Sequence, residues 1–425
     1  MTLEKVKNGA KKVDSKLYQF ENWLFPFLKK WLWLIVIVLA VVLSTWAKWK
    51  AIPFESGDYK TFLVTWMNKY KELGLIKGFG TTLGDYTPAY NYFLCIFAQF
   101  VPQEGYLYVI KIMDFAFEIF MSLGFFFIVK SLSNNKNYAA VAFSVSLIIP
   151  SVFINGAFWG QCDVIFTSFL VWSFYFILRG KSNWAMIFFS ISFSFKFQAI
   201  FFLPFLVLLI LKRRIRIWQL LYIPLVYFII GLPAICCGRP IGDIFSVYFR
   251  QADEYKDRIA LSAPSIYALF DNSHTQTIAP ITIPVFLVIT MSYIFYLFHK
   301  NIKLNAENLV TVALISLLFS AFFMPYMHER YFFAADIFAV LYIFIKKRGF
   351  ILALLINMAS IICCCYWLFY YTGTQGASNM FPHFNVIRVG TIFNLLAVIF
   401  LLYEMIKMPK EDPDEDTKDI TCNSK

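Results

Sequence analysis

The sequence predicts an all-α polytopic membrane protein, a bundle of about twelve transmembrane helices with interfacial helices in its first outer loop. Three observations carry that expectation. Of the 425 residues, 60% are hydrophobic and 20% aromatic, and only 15% are charged, where soluble domains run nearer a quarter charged. Apolar runs of bilayer length recur along the whole chain. The Lys and Arg behind the formal net charge of +12 gather in short loops between those runs, as orientation signals do. That placement argues against a nucleic-acid partner, which the same charge on a soluble protein would suggest. The eight cysteines, among them Cys236-Cys237 and Cys363-Cys364-Cys365, lie in or beside apolar runs without metal-ligand spacing. They read as small apolar side chains rather than disulfides or a zinc site.

Taken in order, residues 1–30 carry Lys5, Lys7, Lys11, Lys12, Lys16, Lys29 and Lys30 and are expected on the cytoplasmic side or at its interface. They lack an apolar core in the position of a signal peptide, so the first helix, 31–49, is expected to stay as an anchor. The first outer loop, 50–104, then lies outside. Within it 90–101 is apolar and aromatic but too short to cross at ~1.5 Å per residue, and is expected to lie in the interface. Crossings follow at 105–130, 137–157, 163–178, 183–196, 198–211 and 216–237. A second outer loop, 238–278, precedes crossings at 279–299, 307–325, 331–345, 349–371 and 387–406, so the transmembrane domain covers 31–407. The basic positions Lys130/Lys136, Arg179/Lys181, Lys212-Arg213-Arg214, Lys300/Lys303 and Lys346-Lys347-Arg348 all fall inside. The crossings at 183–196, 198–211 and 331–345 are short; they either extend into polar flanks or are broken helices opening on a cavity. The tail 408–425, acidic from Glu411 to Asp419, is expected to be cytoplasmic and disordered. No segment is long and polar enough for a separate soluble domain, and no internal repeat is visible.

The candidate for the reacting residue is Asp58, in Glu55-Ser56-Gly57-Asp58-Tyr59, just beyond the first span. By itself Ser-Gly-Asp reads as a turn or a helix cap. Its company changes that reading, because five groups fall on the outer face: Asp58, Asp85-Tyr86, Gln161 with Asp163, Lys196 with Gln198, and His328-Glu329-Arg330. Charges at membrane depth are costly and line a water-filled cavity or pair with one another. Lys196, inside Ser194-Phe195-Lys196-Phe197-Gln198, fits either a phosphate ligand or a counter-ion to an acid such as Asp163. His328-Glu329-Arg330 follows Met324-Pro325 and fits either partners for the backbone groups a proline frees or donors to a phosphate. Lys111, Asp114 and Glu118 share one helix face and read as an internal ion-pair set, with Lys111 near enough to the outer end to reach the site.

These residues resemble a bacterial branch of the GT-C superfamily of polyprenyl-phosphate-sugar glycosyltransferases, related to the GPI-anchor mannosyltransferases. The resemblance rests on Ser56-Gly57-Asp58-Tyr59 with Phe62-Leu63 and Trp66, and on Gly84-Asp85-Tyr86-Thr87-Pro88 with Tyr90. It continues through Trp159-Gly160-Gln161 with Asp163, Lys196 with Gln198, Ala263-Pro264-Ser265 and Met327-His328-Glu329-Arg330-Tyr331, and spans 56–331. Ala89, where a second proline is common, and the paired acids Asp114 and Glu118 depart from the family pattern. The resemblance implies a GT-C-like bundle and an inverting transfer of a hexose-type sugar. The donor would be a polyprenyl phosphate, and the acceptor a hydroxyl of a cell-surface glycan or lipid-linked molecule at the outer face of a bacterial cytoplasmic membrane. Asp58 would be the catalytic base. Lys196, His328 and Arg330 would hold the phosphate, and Asp85, Tyr86, Gln161, Asp163, Gln198, Glu329 and Lys111 would contact substrate.

That chemistry suits the residues on its own terms: a base takes the acceptor proton and cations stabilise the departing phosphate. No cofactor is expected; the alternative is Mg2+ or Mn2+ held by Asp58 and Asp85. Two other readings stay open, a transporter or flippase of lipid-linked saccharides and a glycan polymerase or ligase using a lipid diphosphate.

Overall fold

The computed structural model describes residues 3–254, 258–270, 275–371 and 386–411; the acidic tail beyond Glu411 lies outside them. Helix α1 (Leu3–Ala51) runs unbroken through Pro26. The first outer loop folds into a π-helical turn, Tyr59–Leu63, followed by α2 (Val64–Phe79) and α3 (Pro88–Phe100). The latter is the expected short aromatic helix, opened by Pro88 at its first turn, where the missing N–H costs nothing. Then come α4 (Tyr106–Ser133), α5 (Lys136–Leu147), α6 (Pro150–Val152) with a π-helical continuation to Trp159, α7 (Asp163–Leu178) and α8 (Ser182–Phe195). They are followed by α9 (Leu203–Leu211), α10 (Tyr222–Cys236) and α11 (Ile241–Glu254). The chain ends with α12 (Thr275–His299), α13 (Ala306–Phe323), α14 (Phe333–Lys346), α15 (Phe350–Cys365) and α16 (Val386–Lys407).

Each of the expected crossings is occupied by a helical unit, yet among the described residues seven helices are long and apolar enough to cross a bilayer, or eight when α5 and the helix Pro150–Trp159, bent by 43°, count as one. The protein is therefore an all-α polytopic membrane protein by its helices. The short units are α7, α8, α14 and the stretch Phe197–Leu211. The break between α8 and α9 has a visible cause. Lys196 is extended (φ −152°, ψ 136°) and a 3-10 turn, Phe197–Phe202, follows it, so the broken-helix alternative is the one realised here. Pro204 lacks an N–H, and the backbone around it is satisfied from α13. Ser316 Oγ donates to the Phe201 carbonyl at 2.7 Å and accepts from Phe205 N at 3.1 Å.

The bundle has two chemically distinct ends. At one, Lys346 and Arg348 bind Glu404 at 2.5 and 3.2 Å, Lys212 binds Glu411 at 2.6 Å, and Ile302 bridges to Lys410. Tyr138 Oη donates to the Phe344 carbonyl at 3.0 Å, and Gln219 Nε2 donates to Ser182 Oγ at 3.0 Å. The loops rich in Lys and Arg thus meet one another and the C-terminal segment. At the other end β1 (Ala260–Leu261) pairs in parallel with β2 (Met327–His328), tying the second outer loop to the turn between α13 and α14. Helix α13 is the buried centre, whereas α1 lies at the periphery, packed along one side by Trp33, Ile37 and Val41 and otherwise exposed; in a bilayer that exposure is to lipid.

This arrangement places Lys60 and Arg213 at opposite ends. In a variant with the native cysteines replaced, Lys60→Cys and Arg213→Cys are expected to react with a membrane-impermeant maleimide from opposite sides of sealed vesicles. Labelling of both from one side would overturn the arrangement.

Candidate active site

The end of α1 fixes the start of the site. Its last carbonyls have no helical partner, and Lys111 Nζ donates to them, reaching Ile52 O at 2.9 Å, Phe54 O at 2.6 Å and Ala51 O at 3.5 Å. Lys111, expected to contact substrate, thus spends its ammonium on the backbone at the end of α1 and just beyond it, and is not among the residues that line the cavity on which Asp58 lies. Nor do Lys111, Asp114 and Glu118 pair among themselves, because Glu118 pairs with Lys48 of α1. Across the turn, Ser56 Oγ donates to the Trp159 carbonyl at 2.8 Å and accepts from Tyr59 N at 3.2 Å. Ser56 is therefore the residue that caps the next turn. Asp58 makes no side-chain capping bond, so the structural role that sequence allowed for it belongs to its neighbour.

Asp58 is instead held by one carboxylate oxygen. Its Oδ2 accepts from Trp159 Nε1 at 3.0 Å and Gln161 Nε2 at 2.6 Å, and Arg330 approaches the same atom at 3.7 Å. Its Oδ1 takes part in none of these contacts. Gly160 has φ +71°, a left-handed turn that suits glycine and lets Trp159 and Gln161 bracket one acid. The Arg330 guanidinium lies 5.6 Å from the Trp159 ring and 5.9 Å from the Tyr331 ring, so aromatic faces as well as acids position it.

A second pair, this one buried, stands beside the first. Asp163, the first residue of α7, binds Lys196 and accepts from Asn155 Nδ2 at 2.9 Å. Of the two readings of Lys196, the counter-ion geometry is present, and the side chain also reaches the cavity wall. Behind Arg330, the fully buried Glu329 lies 3.5 Å from that guanidinium and 3.9 Å from His328 Nδ1. Burial pushes the Glu329 carboxyl up to about 7, with Arg330 pulling the other way. Burial, with the cations Arg330 and Lys196 nearby, pushes His328 well below the usual imidazole range. At neutral pH His328 is therefore an uncharged hydrogen-bonding group, while Arg330 carries the charge.

These residues surround a cavity of about 500 Å3. The expected acids Asp58 and Asp85 line it, as do Gln161, Gln198 and Tyr86 and the basic group Lys196, His328 and Arg330. Asp163 and Glu329 sit behind the wall, where they hold Lys196 and Arg330. Gly84 (φ +62°) presses against Trp66, whose ring a Cβ would meet at 2.3 Å. Tyr86 then packs between Trp66 and Tyr90, with ring centroids at 5.8 and 4.9 Å.

Several wall residues were not expected: Gln251, Arg258, Leu261 and Trp367. Gln251 donates to the Asp85 carbonyl. Arg258 lies in a polar loop and Trp367 in an apolar run, and neither setting distinguishes it from its neighbours. Ala263-Pro264-Ser265, part of the sequence resemblance, packs on α16. Asn394 Nδ2 reaches the Pro264 carbonyl at 3.0 Å and Thr391 Oγ1 the Ser265 carbonyl at 3.3 Å. Among the described residues no three His, Cys, Asp or Glu side chains converge as metal ligands would.

No protein-family model matches this chain, and no curated protein matches it.

The burial of Glu329 carries a sign. A carboxyl that titrates near 7 when folded and at the ordinary 4.5 when unfolded binds more protons in the native state, so stability falls as pH rises across that window. The melting temperature is expected to drop between pH 4.5 and 7 in the native protein and to drop less in Glu329→Gln. Parallel pH profiles for the two proteins would remove Glu329 from this role.

Proposed function

We propose that the protein is an inverting glycosyltransferase of GT-C type that moves a hexose-type sugar from a polyprenyl phosphate to a hydroxyl of a glycan or lipid-linked acceptor. The observation that carries this reading is the carboxylate of Asp58, anchored through Oδ2 while, among the described residues, none donates a hydrogen bond to Oδ1, on a cavity wall shared with Arg330 and Lys196. Such an acid can accept a proton without losing its position. The acceptor oxygen attacks the anomeric carbon as its proton passes to Asp58 Oδ1. The bond to the phosphate oxygen breaks, its electron pair leaves with the phosphate, and the anomeric configuration inverts. The departing group ends as a phosphate monoester that needs no protonation, and Arg330, with the remaining donor capacity of Lys196, stabilises its charge. His328, uncharged, orients the phosphate by hydrogen bonding. Asp85, Tyr86, Gln161 and Gln198 line the space for the sugar and acceptor.

In this reading all twelve helical units cross the membrane of a bacterial cell. The basic loops face the cytoplasm and the cavity opens on the extracytoplasmic side, as the positive-inside rule requires. The short units α7, α8, α9 and α14 need not reach lipid at both ends, because their outer ends border the cavity rather than hydrocarbon.

The deciding measurement uses purified protein with synthetic polyprenyl-monophosphate and polyprenyl-diphosphate sugars. Transfer from the monophosphate is expected. Transfer from the diphosphate alone would mark a polymerase or ligase, and translocation across vesicles without transfer a flippase. In the same assay Asp58→Asn is expected to lower turnover by ~100- to 10,000-fold, the range for loss of a general base, with donor affinity little changed. A well-folded Asp58→Asn protein with near-normal transfer would dismiss Asp58 as the base. Because Arg330 and Lys196 supply positive charge, transfer is expected to survive EDTA. Loss of transfer in EDTA, restored by Mg2+ or Mn2+, would assign a cation to Asp58 and Asp85.

A further inference from the structure

The sequence Ile241-Gly242-Asp243-Ile244-Phe245-Ser246-Val247-Tyr248-Phe249-Arg250 gives α11 apolar residues on two sides rather than one. Ile244 and Val247 are buried against the protein. Ile241, Phe245 and Phe249, spaced four apart and thus on one face, are 51%, 41% and 75% exposed. A helix outside the membrane gains nothing by presenting such a stripe to water.

Its depth resolves the matter. Tyr227 Oη donates to the Ile244 carbonyl at 2.9 Å, and a Cβ on Gly231 would meet the Ile244 side chain at 3.3 Å. Tyr227 and Gly231 belong to α10, whose span ends at Cys236, so these contacts lie about 13 and 8 Å back along the helix axis from that end at 1.5 Å per residue. Tyr248 Oη donates to the Phe193 carbonyl of α8, which likewise lies within a helix of the bundle. Helix α11 therefore touches α10 below the end of its span, and α8 at its last turn, instead of standing clear of both. Its exposed stripe starts from the same depth: the Phe245 ring stands 5.4 Å from the Tyr227 ring of α10. Both cations beside it are partnered: Asp243 binds Arg239 at 2.5 Å and Arg250 at 2.8 Å and accepts from Thr82.

We infer that the Ile241–Phe245–Phe249 face of α11 is a lipid-binding surface, immersed in the acyl chains of the leaflet on the cavity side. The occupant is phospholipid hydrocarbon, because the face stands beside a membrane-spanning helix and below the end of its span. The inference is independent of the enzymatic reading. It also makes lipid a structural neighbour of the cavity, since Gln251 at the end of the same helix donates to the Asp85 carbonyl.

Photo-crosslinking in phosphatidylcholine vesicles tests this, with benzoylphenylalanine placed singly at Phe245, Phe249, Tyr248 and Ile229 and adducts read by mass. Phospholipid adducts are expected at Phe245 and Phe249 in yields matching Ile229, and none at the inward Tyr248. Adducts at Ile229 without any at Phe245 and Phe249, or cross-links from α11 to a second copy of the chain, would overturn the inference. A second measurement stands apart from labelling chemistry: Phe249→Asp is expected to lower the melting temperature in vesicles, since an acid in hydrocarbon is costly. An unchanged melting temperature would place the face in water.

Discussion

A charged side chain among apolar helices must find a partner or reach water, and that constraint organises the cavity end of this protein. The chain reverses there after α1, before α7, between α8 and α9 and between α13 and α14, and a charged residue stands at or beside each reversal. Asp58, Asp163, Lys196 and Arg330 satisfy one another in two adjoining groups and all but Asp163 also face a cavity. Breaking a buried pair by removing one member costs several kcal/mol, about 3–5, because the other charge is stranded. The ends of separate helices are therefore held together by the same charges that make the cavity polar. Helix packing and site geometry are not independent properties here.

The carboxylates divide their labour by burial. Asp163 and Glu329 are almost wholly enclosed and serve cations, whereas Asp58 is partly open. The Arg330 side chain is shared between Asp58 and Glu329, and between the rings of Trp159 and Tyr331. With Glu329 neutralised by a proton, more of the guanidinium's attraction falls on Asp58 or on an anion in the cavity. The state of an acid that never touches the cavity thus tunes the field inside it.

Much of this was legible in the sequence. Apolar runs and basic loops located a helical unit for each expected crossing, though not α2 or α11, and a lysine in the middle of Ser194-Phe195-Lys196-Phe197-Gln198 singled out a residue that lies on the cavity wall. Polar residues isolated in apolar surroundings stand out because their burial demands a reason. The opposite holds for Gln251 and Arg258, which are polar residues in polar segments, and for Trp367, an aromatic among aromatics. Lys111 shows a different limit: it does lie at the cavity end of its helix, but sequence cannot reveal that it is held by the carbonyls that follow α1. The number of crossings was limited by length, since α7, α8, α9 and α14 lose residues to the turns that shape the cavity.

The pairing of Ala260–Leu261 with Met327–His328 has a mechanical consequence. With Tyr326 N donating to the Ile259 carbonyl at 2.8 Å, it stitches the strand carrying Arg258 to the strand that leads into Arg330. The segment 258–262 and the turn that carries Arg330 are therefore joined as one piece of the cavity wall, and a displacement of either is transmitted to the other.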